Sequence, residues 1–275
     1  MPSHTPQRIV SLQPSVTQIL VAIGAADQIV ACTRYCQEVC PGITQGRTVV
    51  ADSWSANASQ ILATRPDLVI AAVPYQLEAV AQILKSGVRF LGFAPHTLAD
   101  IYTDTAILAG IVGQATRGDE LIASIQRAIA EVEAKTSALP RVRVYCEEWG
   151  KPLIHSQPWV AELVAAAGGE FVGVAGAHTD AAAVAASDPE VIIAAWCGAG
   201  DRVPLEKIVS DRRWQQVRAV RDRRVFCISD ELLNTPGPAL IGGLHALAAA
   251  IHPDRFPALP EARLRRLAPR ELAAL

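Results

Sequence analysis

Aromatic residues make up only 5% of this chain and charged residues 19%, and the formal net charge is −2. Without a basic excess there is no field to hold a phosphate backbone, so nucleic acid is not an expected partner. The densest basic stretch, Asp211 to Arg224, alternates acids with arginines and reads as a solvated helix and turn. No uncharged apolar run reaches about 18 residues, so no segment is expected to span a bilayer. A G-x-S-x-G elbow, a P-loop and a G-x-G-x-x-G after the first strand are all missing. With no H-x-x-x-H pair either, no catalytic set assembles, and the chain is expected not to be an enzyme. The opening MPSHTPQRIV holds no apolar leader. It implies a cytoplasmic protein if Met1 is the native start, and a periplasmic or extracytoplasmic one if a signal peptide has been removed.

What is plentiful is apolar content, 51% over 275 residues, enough to bury one large core or two modest ones. One pattern occurs twice. Residues 58–72 read ASQILATRPDLVIAA, and residues 181–195 read AAAVAASDPEVIIAA. Each copy is a short helix, a Pro-Asp or Pro-Glu turn and an apolar strand. Around them short strands alternate with helices, the pattern of a parallel sheet covered on both faces. From 98 to 139 the alternation stops in favour of helical periodicity: Ile101, Leu108, Ile111, Leu121, Ile125, Ile129 and Val132. Gly110, Gly113 and Gly118 mark a break into two helices. The expected architecture is therefore α/β, two Rossmann-like lobes with central parallel sheets, joined by a long interdomain helix and enclosing a ligand cleft. The expected boundaries are 1–97 for the first lobe, 98–139 for the connecting helices, 140–257 for the second lobe and 258–275 for an arginine-rich tail that adds a helix or frays.

In parallel α/β folds ligands meet the loops at the carboxyl ends of strands. Those ends carry Gln13, Tyr35, Cys36, Trp54 and Tyr75 in the first half, and Glu147, Trp149, His155, Trp159, Trp196 and Asn234 in the second. Of five tryptophans only Trp214 falls elsewhere, which suits a large, flat or greasy ligand. His155 is the best single histidine for a ligand contact or an axial metal bond. Cys32, Cys36 and Cys40 stand four apart, compatible with packed thiols, a disulfide or, with a fourth ligand, a metal grip. Asp67 and Glu190, in the duplicated turns, are expected to cap turns away from the ligand.

Several blocks resemble one family in order. RIVSLQPSVTQILVAIGAADQIVACTRYC, SANASQILATRPDLVIAA, GKPLIHSQPWVAELVAAAGGEFVG, DPEVIIAAWCG and WQQVRAVRDRRVFCISDELLNTPGPALIGGLHALAAAIHPDRF are similar to the class III periplasmic binding proteins. These bind cobalamin, haem and iron-siderophores for ABC importers. The match runs from about residue 7 to 256, and the NTPGP stretch looks most like the cobalamin-binding branch, with Thr235 where arginine is frequent.

The resemblance implies a monomer that holds a corrinoid or similar chelate between aromatics, with Trp54 and Trp196 as ring-stacking or rim residues and Tyr35 and Cys36 in the loop near its metal; the strand ends add Gln13, Tyr75, Trp149, His155, Trp159 and Asn234 to the expected contacts. The resemblance also implies Glu78 and Glu206 as docking acids for the importer's membrane subunits, while the cysteine-rich CTRYCQEVCPG segment departs from the family and offers cobalt ligation through Cys36 or His155. Two alternatives stand beside it: a binding protein of the same fold handling haem, a metal-siderophore or another large cofactor, in or outside the cytoplasm, and an enzyme acting on such a ligand.

Overall fold

A computed structural model describes residues 5–268. The chain divides into two compact units, one running to Ser124 and including Pro236–Pro238, the other comprising Ile125–Thr235 and the chain from Ala239. Among the described residues no helix is long and apolar enough to cross a membrane.

The first unit contains β1 (Ile9–Ser11), α1 (Pro14–Ala22), β2 (Ile29–Thr33), α2 (Arg34–Val39), β3 (Thr48–Val50), α3 (Ala58–Ala63), β4 (Leu68–Ala72), α4 (Leu77–Lys85), β5 (Arg89–Phe93) and α5 (Leu98–Ile111). Its five strands lie parallel in the order β3-β2-β1-β4-β5. Successive strand residues point to opposite faces, and the core divides accordingly. Ile9, Ile29, Leu68 and Ile70 pack beneath Val16, Leu20 and Leu108 from α1 and α5. Val10, Ala31, Val69 and Ala71 pack on Ile61, Ala79 and Ile83 from α3 and α4. The helical stretch breaks at Gly113, whose φ of 73° favours glycine. Beyond it α6 (Ala115–Thr136) runs from the first unit into the second.

The second unit contains β6 (Val142–Gly150), β7 (Leu153–His155), α7 (Pro158–Ala166), β8 (Gly169–Phe171), β9 (His178–Thr179), α8 (Ala181–Ala186), β10 (Val191–Ala194), α9 (Leu205–Asp211), α10 (Arg218–Arg221), β11 (Val225–Ile228), α11 (Leu240–Ile251) and β12 (Leu264–Arg266). Its sheet runs β12-β11-β10-β6-β7-β9, with β8 also on β6. The strands β11, β10, β6 and β8 are mutually parallel, as the sequence implies. The strands β7, β9 and β12 are antiparallel additions that the sequence does not announce. They are two or three residues long, too short for a periodic signal. The tail is thus neither a helix nor frayed over its described part: Leu264–Arg266 pairs with β11, and Leu267 is buried. Residues 269–275 lie outside the described range.

The duplicated sequence is a duplicated structure. Asn57 caps α3 by accepting from the Ser59 and Gln60 amides, and Asp180 caps α8 by accepting from the Ala183 amide. Each helix then leaves through a residue with positive φ, Arg65 at 50° and Asp188 at 40°. The acids that follow do more than cap turns. Asp67 accepts from the Gln7 and Arg8 amides at 2.8 and 3.1 Å, and Glu190 from the Arg143 amide at 3.1 Å. Those arginines reach back: Arg8 donates to the Thr64 and Arg65 carbonyls, and Arg143 to the Ser187 carbonyl. In both units an acid after the helix and an arginine at the start of the neighbouring strand staple the amino-terminal edge of the sheet.

Asp67→Ala removes two bonds to backbone amides and is expected to lower the unfolding free energy by about 1–2 kcal/mol. Urea denaturation followed by circular dichroism checks it, and an unchanged midpoint would refute the staple.

Candidate functional site

The opposite edge, where the strands end, carries the exposed aromatic residues. In the first unit Asp52 Oδ1 accepts from the amides of Trp54 and Ser55 at 3.1 and 3.0 Å and from the Ser55 hydroxyl at 2.9 Å. This fixes the turn after β3 and presents Trp54 with 70% of its surface exposed. Leu77, at the start of α4, is 77% exposed, and Val73, just past β4, is also exposed. Large apolar side chains in such positions mark a binding surface more often than a defect of packing.

Behind this surface the polar groups are tied down. Gln13 Nε2 donates to Ser53 Oγ at 2.5 Å and to the Ala72 carbonyl at 3.1 Å. Tyr75 donates to the Phe93 carbonyl at 2.5 Å and meets Phe90 edge-on at 5.8 Å. Gly92 makes this possible, because a Cβ there would lie 2.8 Å from the Tyr75 hydroxyl. Burial, and secondarily the Asp104 carboxylate, raise the Tyr75 phenol above its ordinary range. Asp104 itself, on α5, is pushed up to about 6 by burial and then by Asp100. Tyr35 accepts from Arg34 Nη2 at 2.7 Å, and the guanidinium lies 4.7 Å from the ring centre.

Cys36 is not at this surface. The segment after β2 is helical rather than a loop, and α2 turns Cys36 inward to 0% exposure. Its sulfur accepts from Thr17 Oγ1 at 3.0 Å and lies 3.4 Å from Thr33 Oγ1. Hydrogen bonding from Cys32, against the effect of burial, lowers the Cys36 thiol. Cys32, Cys36 and Cys40 are free thiols, and no cluster of three His, Cys, Asp or Glu fit to hold a metal occurs among the described residues.

In the second unit the end of β6 is built around a buried acid. Glu147 is 1% exposed and accepts from four donors. Arg212 Nη1 and Nη2 stand at 2.5 and 2.9 Å, Tyr145 Oη at 2.7 Å and Trp196 Nε1 at 2.7 Å. Arg212 also covers the Trp214 ring at 4.8 Å. A charge so buried persists only when paired and fully hydrogen-bonded. The pair fixes the half-buried Trp196, whose six-membered ring lies where a Cβ on Gly150 would stand, 2.3 Å from Cζ2. Trp149, next along β6, is 43% exposed and donates to the Lys151 carbonyl at 2.8 Å.

Glu148 accepts from Gln157 Nε2 at 2.8 Å, and burial raises its carboxyl. Asn234 donates to the Ala195 carbonyl at 2.7 Å. His155 and Trp159 are packing residues. His155 is 5% exposed, its Nδ1 lies 3.1 Å from the Ala177 carbonyl, and its ring meets Tyr145 edge-on at 5.4 Å. Trp159 is buried and donates to the Leu233 carbonyl at 2.8 Å. Glu147 is legible in the sequence as a strand-end acid, but Arg212, at the end of α9, carries no motif that points to it.

A family model described as "Periplasmic binding protein" matches residues 9–232. An uncharacterized ABC transporter substrate-binding lipoprotein of Bacillus subtilis is 24% identical, with 91% of this chain and 82% of the relative covered. A vitamin B12-binding protein of Vibrio parahaemolyticus is 22% identical, with 89% of each covered. The crystal structure of a periplasmic heme binding protein from Pseudomonas aeruginosa superposes with a TM-score of 0.84 at 22% identity, covering 96% of this chain and 98% of that one.

Two outcomes follow from the geometry. Arg212→Ala leaves the Glu147 charge buried and unpaired, and is expected to cost about 3–5 kcal/mol in denaturant unfolding; a cost below about 1 kcal/mol would contradict the pairing. The raised Asp104 has a simple sign. Its proton is held more tightly folded than at its ordinary value of 3.8, so stability is lost as pH rises from about 4 through about 6. Asp104→Asn is therefore expected to raise the melting temperature at pH 8 and to bring no gain at pH 4, measured by thermal denaturation.

Proposed function

The chain belongs to the periplasmic binding protein family, and on that premise we propose that it is the ligand-binding component of an ABC importer for a large planar metallated macrocycle. As a member of this family it is a binding protein rather than an enzyme, and its place is periplasmic or extracytoplasmic. The observation that carries the ligand class is Trp54, an indole 70% exposed on a turn that Asp52 holds in place. A rigid aromatic face without a covering neighbour gains most from a flat partner of its own size. In the second unit Trp149 and Trp196 offer further ring surface and Asn234 a polar contact; in the first, Gln13 and Tyr75 stand behind Trp54. Cys36, His155 and Trp159 are left out of this set because their side chains are buried.

Two macrocycles fit this reading. A corrinoid such as cobalamin is favoured by the vitamin B12-binding relative. Haem is favoured by the similarity to a heme-binding structure and by one feature of this chain. Arg34 donates to the Tyr35 hydroxyl at 2.7 Å, so a phenol oxygen of the kind that ligates haem iron stands beside a cation able to pair with a propionate. In the proposed assembly the chain acts as a monomer. Glu78 in the first turn of α4 and Glu206 in the first turn of α9 supply acids for basic groups of the membrane subunits.

Titration with cyanocobalamin and with haemin, followed by tryptophan fluorescence and calorimetry, tests the proposal. One of the two is expected to bind, and Trp54→Ala to weaken it about tenfold, the worth of one stacked ring. Absence of binding by both, or an unchanged affinity in Trp54→Ala, would overturn the reading.

A further inference from the structure

The end of β6 holds two hydrogen-bond acceptors that the protein leaves under-supplied. Glu148 Oε2 has Gln157 Nε2 at 2.8 Å, but among the described residues its Oε1 has only the Cys197 thiol, at 3.8 Å. Asn234 Nδ2 donates to the Ala195 carbonyl at 2.7 Å and to Cys197 Sγ at 3.3 Å. Those two contacts decide which end of the amide is nitrogen, since only nitrogen can donate to a carbonyl. Its Oδ1 is then buried with no partner among the described residues. Cys197 touches both side chains and is itself exposed, so the group lies just beneath the surface.

Acids dominate around Cys197. The charged groups that act on Cys197 are Glu148 and Asp230. Asp230 is occupied by the Gly198 and Gly200 amides at 2.7 and 2.8 Å. Arg212 is committed to Glu147. A ligand bringing N–H groups would satisfy Oδ1 and the free lone pairs of Glu148. A ligand bringing a carboxylate would set acceptor against acceptor and charge against charge.

We propose that Glu148 and Asn234 form an acceptor subsite that selects a macrocycle rimmed with carboxamide N–H donors over one rimmed with carboxylates. The inference rests on the macrocycle-binding reading above and separates its two members. Corrinoids carry peripheral amides, whereas haem carries propionates.

The test compares ligands that differ only at the rim. Affinities of the full chain are measured by tryptophan fluorescence for dicyanocobinamide, which bears amides, and for dicyanocobyrinic acid, in which they are carboxylic acids. The amide form is expected to bind at least about tenfold tighter at pH 7.5. Glu148→Gln, which removes the charge and offers N–H in place of one oxygen, is expected to bring that ratio towards one, chiefly by improving the acid. Haemin against its dimethyl ester repeats the comparison on the unmodified protein, with the ester expected to bind tighter, so the result does not depend on the variant folding. Binding of both corrinoids with a ratio near one, or a ratio that Glu148→Gln leaves unchanged, would overturn the subsite alone. No binding of any of the four ligands would overturn the macrocycle reading and the subsite with it.

Discussion

A strand covered on both faces can offer chemistry only at its ends. In the first unit Ile9 and Val10 of β1, and Val69 and Ile70 of β4, are fully buried on alternate faces, so neither face of these strands is open to a ligand. The two edges of the sheet are then used differently. At the amino-terminal edge Asp67 and Glu190, with Arg8 and Arg143, close the same staple in each unit. The carboxyl-terminal edge carries Trp54, Tyr75, Trp149 and Trp196. Burial leaves the apolar strand interiors no role beyond packing, and the functional variety of the chain is confined to a few loop positions.

The second unit adds a constraint of its own. Glu147 sits where β6 ends and is sealed from water, so its charge must be matched by donors drawn from elsewhere in the chain. Tyr145, Trp196 and Arg212 answer that need, and Gly150 supplies the space into which Trp196 folds. The pair contributes little net stability against a well-packed apolar alternative. Its consequence is geometric: one indole is held in one orientation. Next along the strand Glu148 has the opposite status, desolvated but short of donors. These two adjacent acids meet different surroundings at a point where the pairing of β6 with β7 is irregular.

Legibility from sequence follows the range of the interactions concerned. Alternating strands and helices, the glycine break in the long helical stretch, and the duplicated turn could all be read because each is set by residues a few positions apart. Trp54 and Trp196 could be found because each lies shortly after a strand, whereas Trp149 lies within β6 and Trp159 within α7. Cys36 and His155 could not be assigned in this way. Their types and positions suit a ligand, but a six-residue helix turns Cys36 onto Thr17, and an antiparallel strand of three residues carries His155 under Tyr145. Short elements have no periodic signature, so the direction of these side chains was not encoded locally.

Hydrophobic period and turn chemistry act over a few residues, so the class of fold, the two α/β units and the candidate residues near the strand ends are legible in the sequence. Tertiary structure alone decided which of those edge residues face outward. It buried Cys36, His155 and Trp159, exposed Trp54 and Trp149, and brought Arg212 to Glu147 and Asn234 to Cys197 across long stretches of chain. A buried carboxylate and an unpaired amide oxygen acquire meaning only from what surrounds them in space, and that is fixed by packing rather than by spacing along the chain.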